Sequence, residues 1–285
     1  MKKTGLLGYP IGHSLSPAIH NAAYRALYLD WQYALYPCPD LASFDAILSD
    51  VLADPTSFVG LNVTTPWKTA AYEAARAHSP FAGAAQNANV LTVVSHGTQP
   101  AHLSCDNTDG AGLIASLERE GVTIEGSRVV VCGSGPVATS ALQAFTEKQA
   151  AAITIVSRDP QKAAKTVPLS QIRVVDYSEV AQHLVDADIL INATTVGMNP
   201  SDAPIVSAEL LRPTMVVVDV IYGHGETALI KAAREIGARA YDGLGMLIEQ
   251  AALSIEIWAA SQNLKLTAPR TLMLEAAQKE LAKRS

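Results

Sequence analysis

Residues 127–145 read SRVVVCGSGPVATSALQAF. An apolar run, Val129 to Cys132, leads straight into Gly133-Ser134-Gly135, and an amphipathic stretch follows. The run is short and rich in β-branched residues and it ends on glycine, so it reads as strand, tight turn, helix. Gly133, Gly135 and Ala138 give the spacing G-x-G-x-x-A between a strand and a helix, the context that gives a dinucleotide fingerprint its meaning. The first glycine permits the turn. The second lets backbone approach a pyrophosphate, which then sits on the unpaired N–H groups of the helix start. Gly133, Ser134, Gly135, Pro136, Val137 and Ala138 are therefore candidate cofactor-binding residues. Pro136 removes one backbone donor, yet proline is tolerated in a first helical turn.

Downstream, AAITIVSRDPQKAAK is again strand, turn and helix, and QIRVVD, ADILINAT and TMVVVDV are further strands. ETALIKAAREIGA is a crossover helix and RAYD a closing strand. Alternating short apolar and longer amphipathic runs predict βαβ units around a parallel sheet. A carboxylate at the tip of the second strand, about 20 residues past the fingerprint, would bind the ribose hydroxyl of NAD. Here the tip is Ser157 and Arg158, a hydroxyl and a guanidinium suited to the 2′-phosphate of NADP. Asp159 has a structural reading as the N-cap of the helix that Pro160 opens. NADP is preferred, with NAD left open.

Upstream, TGLLGYP, WQYALYP and FVGLNV read as strands. SPAIHNAAYRALYLD reads as a helix with Ser16 as N-cap, LASFDAILSDVLA as another, and PWKTAAYEAARA as one opening at Pro66. NVLTVVSHG and PAHLSCDN form a hairpin at the edge. TDGAGLIASLERE is a bridging helix, and GMLIEQAALSIEIWAASQ and APRTLMLEAAQKELAKRS are two closing helices. The expected division is an α/β domain over 1–108, completed by helices returning over 243–285, and a dinucleotide-binding domain over 109–242. At the ends of the first-domain strands sit Ser14 and Ser16, then Asn62, Thr64 and Lys68, then Asn89 and Asp109. Open α/β sheets bind ligands at such ends.

The 285 residues are 49% hydrophobic and 17% charged, enough to fill cores and too apolar for disorder. A net charge of −6 argues against a nucleic-acid partner. Cys38, Cys105 and Cys132 show no metal spacing, so no metal is expected, and they read as reduced cytoplasmic thiols. The N-terminus lacks a signal peptide's apolar stretch, and no run reaches the ~20 apolar residues of a membrane helix. Monomer and homodimer both remain open.

Together, YPIGHSLSPAIHN, GLNVTTPWK, DNTDG, CGSGPVA, NATTVGM, DVIY and DGLGMLIEQA resemble the shikimate dehydrogenase family, over nearly the whole chain. The resemblance implies an N-terminal substrate domain, a Rossmann-type NADP domain, and C-terminal helices returning to the first. It implies NADP-dependent reduction of 3-dehydroshikimate to shikimate, with Lys68 and Asp109 as the catalytic pair at the C3 oxygen. Ser14, Ser16 and Tyr222 match carboxylate contacts, and Asn62, Thr64, Asn89 and Gln250 match groups that bind ring hydroxyls. Ser157 and Arg158 match the phosphate site, and Thr194, Gly243 and Met246 the nicotinamide side. The chain departs from the family at Thr65-Pro66-Trp67, where an aliphatic residue, proline and histidine are common. Ser157-Arg158-Asp159 replaces an Asn-Arg-Thr triplet. Two alternatives stand beside the main reading: a quinate/shikimate dehydrogenase using NAD or both cofactors, and a non-catalytic sensor of dinucleotide or shikimate.

Overall fold

The computed structural model describes residues 1–95, 99–166 and 172–284. Two compact units divide it: Met1–Thr108 with Ile248–Ser285, and Asp109–Leu247.

The first unit begins β1 (Lys2–Gly8), α1 (Ser16–Ala26), β2 (Trp31–Pro37), α2 (Leu41–Ala53), β3 (Phe58–Val63) and α3 (Lys68–Ala74). It continues β4 (Ala77–His78), α4 (Pro80–Ala85), β5 (Val90–Val94) and β6 (His102–Asp106). The sheet order is β2-β1-β3-β5-β6-β4. β1 pairs in parallel with β2 and β3, while β5 runs antiparallel to β3 and β6 antiparallel to β5. The sheet is thus mixed, and β3, buried along its whole length, is central to it.

The second unit holds α5 (Asp109–Arg119), β7 (Arg128–Cys132), α6 (Pro136–Glu147), β8 (Ala152–Val156), α7 (Pro160–Thr166) and β9 (Ile172–Val175). Then come α8 (Val180–Leu184), β10 (Ile189–Asn192), β11 (Val216–Asp219), α9 (Ala228–Glu235) and β12 (Arg239–Tyr241). Its sheet is parallel throughout, in the order β12-β11-β10-β7-β8-β9. The inner strands β7, β8, β10 and β11 are near-continuous apolar runs because both their faces are covered. Val129, Val131, Ile153, Ile155, Ile189 and Ile191 pack with α5 and α6, whereas Val130, Cys132, Val156, Leu190 and Val217 pack with α8 and α9. The strand order reverses between β7 and β10, the switch point where such sheets bind nucleotides. Two helices close the chain, α10 (Leu244–Ser261) and α11 (Arg270–Ala282).

Several boundaries depart from the sequence expectations. Ser16 is the first residue of α1, not its cap; Leu15 holds the cap position and makes no side-chain bond there. α1 stops at Ala26 rather than running to Asp30, because Leu27 closes it through its N–H and Tyr28 takes a left-handed φ of 54°. α3 opens at Lys68, two residues after the expected Pro66. The turn before it is closed by the Trp67 N–H donating to the Thr64 carbonyl at 3.0 Å. α4 and β4 lie in a stretch rich in proline, glycine and alanine that carries no periodic signal. Ser79 caps α4, accepting from the Ala82 N–H at 3.1 Å, and β4, not the hairpin, forms the sheet edge. Expected strand residues 96–97 and 171, and the terminal Ser285, lie outside the described residues. Among the described residues no helix is long and apolar enough to cross a membrane.

Candidate active site

The junction of β3 and α3 carries the lysine. Trp67 fixes it: the indole N–H donates to the Cys38 carbonyl at 2.7 Å, and its ring stacks on Phe44 of α2, centroids 5.6 Å apart. Lys68 follows as the first residue of α3, only 8% exposed, and its carbonyl accepts from the Ala88 N–H at 2.9 Å. This bond ties the lysine's backbone to the segment that carries Asn89.

Behind it lies a buried polar network. Asn62, at the end of β3, accepts from the Tyr33 hydroxyl at 2.9 Å and donates to the Asn89 carbonyl at 3.1 Å and to Ser254 Oγ at 2.9 Å. Asn89 accepts from the Thr108 N–H at 2.8 Å, and donates to Thr108 Oγ1 at 3.0 Å and Gln250 Oε1 at 3.3 Å. The Ser254 hydroxyl closes back on the Gln250 carbonyl at 2.9 Å. A buried amide left unpaired costs about 1–3 kcal/mol, so such a network holds its members in single orientations. Its far wall comes from α10, which docks through Trp258: the indole N–H donates to the Leu91 carbonyl at 3.0 Å. Gly60 makes room, since a Cβ there would stand 2.2 Å from Trp258 Nε1. Two helical turns before that anchor, Gln250 reaches the network.

Ser14 and Ser16 meet at the start of α1, where the Ser16 N–H donates to Ser14 Oγ at 3.2 Å. Because Ser16 does not cap the helix, its hydroxyl is not spent on the α1 backbone. Behind them His20 is fully buried, donates from Nδ1 to the Ser16 carbonyl at 2.9 Å, and stacks on Tyr33 with centroids 4.0 Å apart. Its Nε2 has no hydrogen-bond partner among the described residues. Burial drives the His20 pKa down to about 4 against the pull of the Ser16 carbonyl, so the ring is neutral. Thr64, half-buried, donates its N–H to the Leu7 carbonyl at 2.8 Å.

In the second unit the fingerprint turn has the shape a pyrophosphate needs. Gly133 takes a φ of 113°, and a Cβ there would stand 2.9 Å from the Ala193 carbonyl oxygen. Gly135 precedes α6 with nothing within 4 Å of where its Cβ would be, so the approach to the helix start is open. Pro136 occupies the first turn of α6, as its missing N–H permits. Ser134 Oγ lies 3.3 Å from Ser157 Oγ, linking the turn to the tip of β8, where Arg158 is exposed. Asp159 accepts from the Lys162 N–H at 2.9 Å, the bond of a cap at the start of α7. These residues fit NADP.

Asp109 begins α5 and is 5% exposed. Thr194 and Tyr222 are half-buried on the loops after β10 and β11. The Gly243 N–H donates to the Ile221 carbonyl at 3.0 Å, which fixes the turn before α10. Met246 packs into the core of the second unit. The structure thus joins Asn62, Asn89 and Gln250 in one network and pairs Ser14 with Ser16. Sequence reasoning missed Tyr33, Thr108 and Ser254. Thr108 stands inside the quoted DNTDG, and Ser254 lies four residues past Gln250 on one helix face, so both carried a signal. Among the described residues no group of three or more His, Cys, Asp or Glu could hold a metal. The three cysteines are buried and free.

Comparison with known proteins identifies the family. The model of the shikimate dehydrogenase substrate binding domain matches residues 6–91, and that of shikimate / quinate 5-dehydrogenase matches 115–220. A shikimate dehydrogenase (NADP(+)) of Methanosarcina mazei is 36% identical over 285 residues, covering 96% of this chain and 98% of the relative. One from Alkaliphilus metalliredigens is 35% identical, covering 89% and 90%. The crystal structure of shikimate 5-dehydrogenase from Thermus thermophilus, in complex with NADP(H) and shikimate, superposes with a TM-score of 0.85 at 29% identity, covering 98% of this chain and 100% of that one. With both domain models matched and relatives 35% and 36% identical over most of its length, the chain belongs to the shikimate dehydrogenase family.

Proposed function

We infer that this protein catalyses the reversible NADP-dependent reduction of 3-dehydroshikimate to shikimate, a step of aromatic amino-acid biosynthesis. The observation that carries the reading is the buried network of Asn62, Asn89, Thr108 and Gln250 beside a buried lysine at the head of α3. Fixed amides and hydroxyls of this kind suit a ring with several hydroxyl groups. We assign substrate binding to the first unit and cofactor binding to the second.

NADPH, when bound, supplies the hydride that reduces the ketone carbon. Lys68 stabilises the negative charge that develops on the carbonyl oxygen and gives that oxygen its proton; in the oxidative direction the neutral amine takes the proton back. Asp109 accepts a hydrogen bond from a ring hydroxyl beside the reacting carbon. Asn62, Thr64, Asn89 and Gln250 bind the remaining hydroxyls, and Ser14, Ser16 and Tyr222 hold the substrate carboxylate. Ser134, Ser157 and Arg158 bind the 2′-phosphate end. The net charge of −6 supports a small molecule rather than nucleic acid as partner, and the three free thiols support a cytoplasmic location.

Neither a quinate-directed activity nor a non-catalytic sensor is favoured. Steady-state rates with shikimate and quinate, each with NADP and NAD, test the assignment. Shikimate with NADP is expected to give the highest kcat/KM by at least tenfold. Binding without turnover, or a preference for quinate, would overturn it.

A further inference from the structure

The sheet of the first unit ends on β4 at one edge and on β2 at the other. β4 is two residues long, and so short an edge offers little to pair with. β2 is seven residues long and reads WQYALYP, rich in aromatic rings and without a charge. A long apolar edge strand of this kind is a template for pairing with another chain.

Bonds at the two ends of β2 fix which way its backbone groups point. The Lys2 N–H donates to the Asp30 carbonyl at 2.7 Å, and the Cys38 N–H donates to the Gly8 carbonyl at 3.1 Å. The register with β1 runs unbroken between them. Even-numbered residues therefore turn their backbone groups toward β1, and Trp31, Tyr33, Leu35 and Pro37 turn theirs outward. Two of these four outward positions are closed. Pro37 has no N–H to offer. At Tyr33 the side chain of Asn21, on α1, takes both groups: Asn21 Nδ2 donates to the Tyr33 carbonyl at 3.0 Å, and the Tyr33 N–H donates to Asn21 Oδ1 at 2.9 Å. A side-chain amide carries one donor group and one acceptor, as a peptide unit does. Asn21 thus makes the two bonds that a residue of a neighbouring strand would make, and it stands in the lane that such a strand would occupy, about 4.8 Å from β2.

The outward positions are symmetric about Tyr33. Two copies of β2 laid antiparallel, with Tyr33 on the two-fold axis, bring Trp31 of one copy opposite Leu35 of the other. The result is three consecutive hydrogen-bonded pairs in an isologous contact. The middle pair is the one that Asn21 holds.

We propose that the outer edge of β2 is a self-pairing surface, complementary to β2 of a second copy of this chain, and that Asn21 is the side chain that keeps it closed. The proposal stands apart from the assigned reaction, since neither substrate nor cofactor enters it.

The test uses the full chain without ligands. In the wild-type protein the Tyr33 amide should exchange with solvent roughly tenfold more slowly than the Leu35 amide, which points the same way but is not bonded by Asn21. Asn21→Ala keeps α1, because alanine is the better helix former. Its weight-average mass in sedimentation should climb toward roughly twice the wild-type value as concentration rises. Asn21→Ser, too short to span both Tyr33 groups, takes its place where the alanine variant does not fold. Adding Leu35→Pro, which removes an outward N–H and no bond to β1, should return the mass to that of the wild type. Trp67→Phe, weakened elsewhere in the same unit, should match the wild type throughout. Equal exchange at Tyr33 and Leu35 would overturn the proposal, as would an Asn21 variant whose mass follows the wild type at every concentration. Association that survives Leu35→Pro would place the contact elsewhere, and equal association of Trp67→Phe would reduce the effect to lost stability; either overturns it.

Discussion

What a side chain can offer a ligand depends on which partners already hold it. Arg158 and Asp159 are neighbours with opposite charge, and either could meet a ribose. Asp159 accepts from the Lys162 N–H at the start of α7, a structural use of its carboxylate, while the Arg158 guanidinium stands exposed at the tip of β8. Arg158→Ala is therefore expected to raise the KM for NADPH roughly tenfold or more, the scale of a charge-assisted hydrogen bond, and to leave the KM for NADH within twofold. Steady-state kinetics with both cofactors decide it, and an equal loss for both would show that Arg158 does not bind the 2′-phosphate. Asp159 was legible from sequence because its cap bond is local and Asp-Pro marks a helix start. Asn62 was legible as a polar residue at a strand end, but its partner Ser254 lies 192 residues away. Asp219 closes an apolar strand, and only the register of β10 against β11 shows that it faces Asn192.

At the level of elements, the junction of β3 with α3 depends on Trp67. The family's histidine is replaced here by an indole that bonds the Cys38 carbonyl and stacks on Phe44. Trp67→Phe keeps a ring against Phe44 and leaves a buried carbonyl without its donor. The expected loss is about 1–2 kcal/mol of stability, read as a lower denaturant midpoint at unchanged slope. An unchanged midpoint would mean that the indole bond does not anchor this turn. Strand and helix types followed from periodicity, and β2, α2 and β3 begin and end where the apolar pattern does. The start of α3 and the existence of α4 did not. Pro66 looked like an opening residue, while the Trp67 anchor that sets the true start acts through α2. α4 is six residues long and is held by a Ser79 cap and by Ser79 donating to Asp106 at 2.6 Å, contacts that no amphipathic pattern encodes.

Across the whole molecule, the two-unit α/β plan was legible because short apolar strand runs alternate with longer, mostly amphipathic helical stretches. The division after Thr108 follows the end of β6, and the second falls within α10, after Leu247. Global stability should also report on buried His20. Its folded pKa of about 4 lies below the ordinary 6.5 because burial disfavours the charged ring. The stability it contributes is thus present above pH 6.5 and is lost as pH falls toward 4, an effect on the order of 3 kcal/mol. Unfolding free energies at pH 7 and pH 4.5 should show a steeper fall in the wild-type protein than in His20→Gln; equal falls would remove His20 as the source. The central claim is that Lys68 supplies and removes the proton at the reacting oxygen. It is tested most directly by following NADPH loss with 3-dehydroshikimate in the wild-type and Lys68→Ala proteins. The alanine variant should lose roughly 10²–10⁴-fold in kcat, with little change in either KM. A Lys68→Ala enzyme turning over at a near wild-type rate would show that the proton comes from elsewhere.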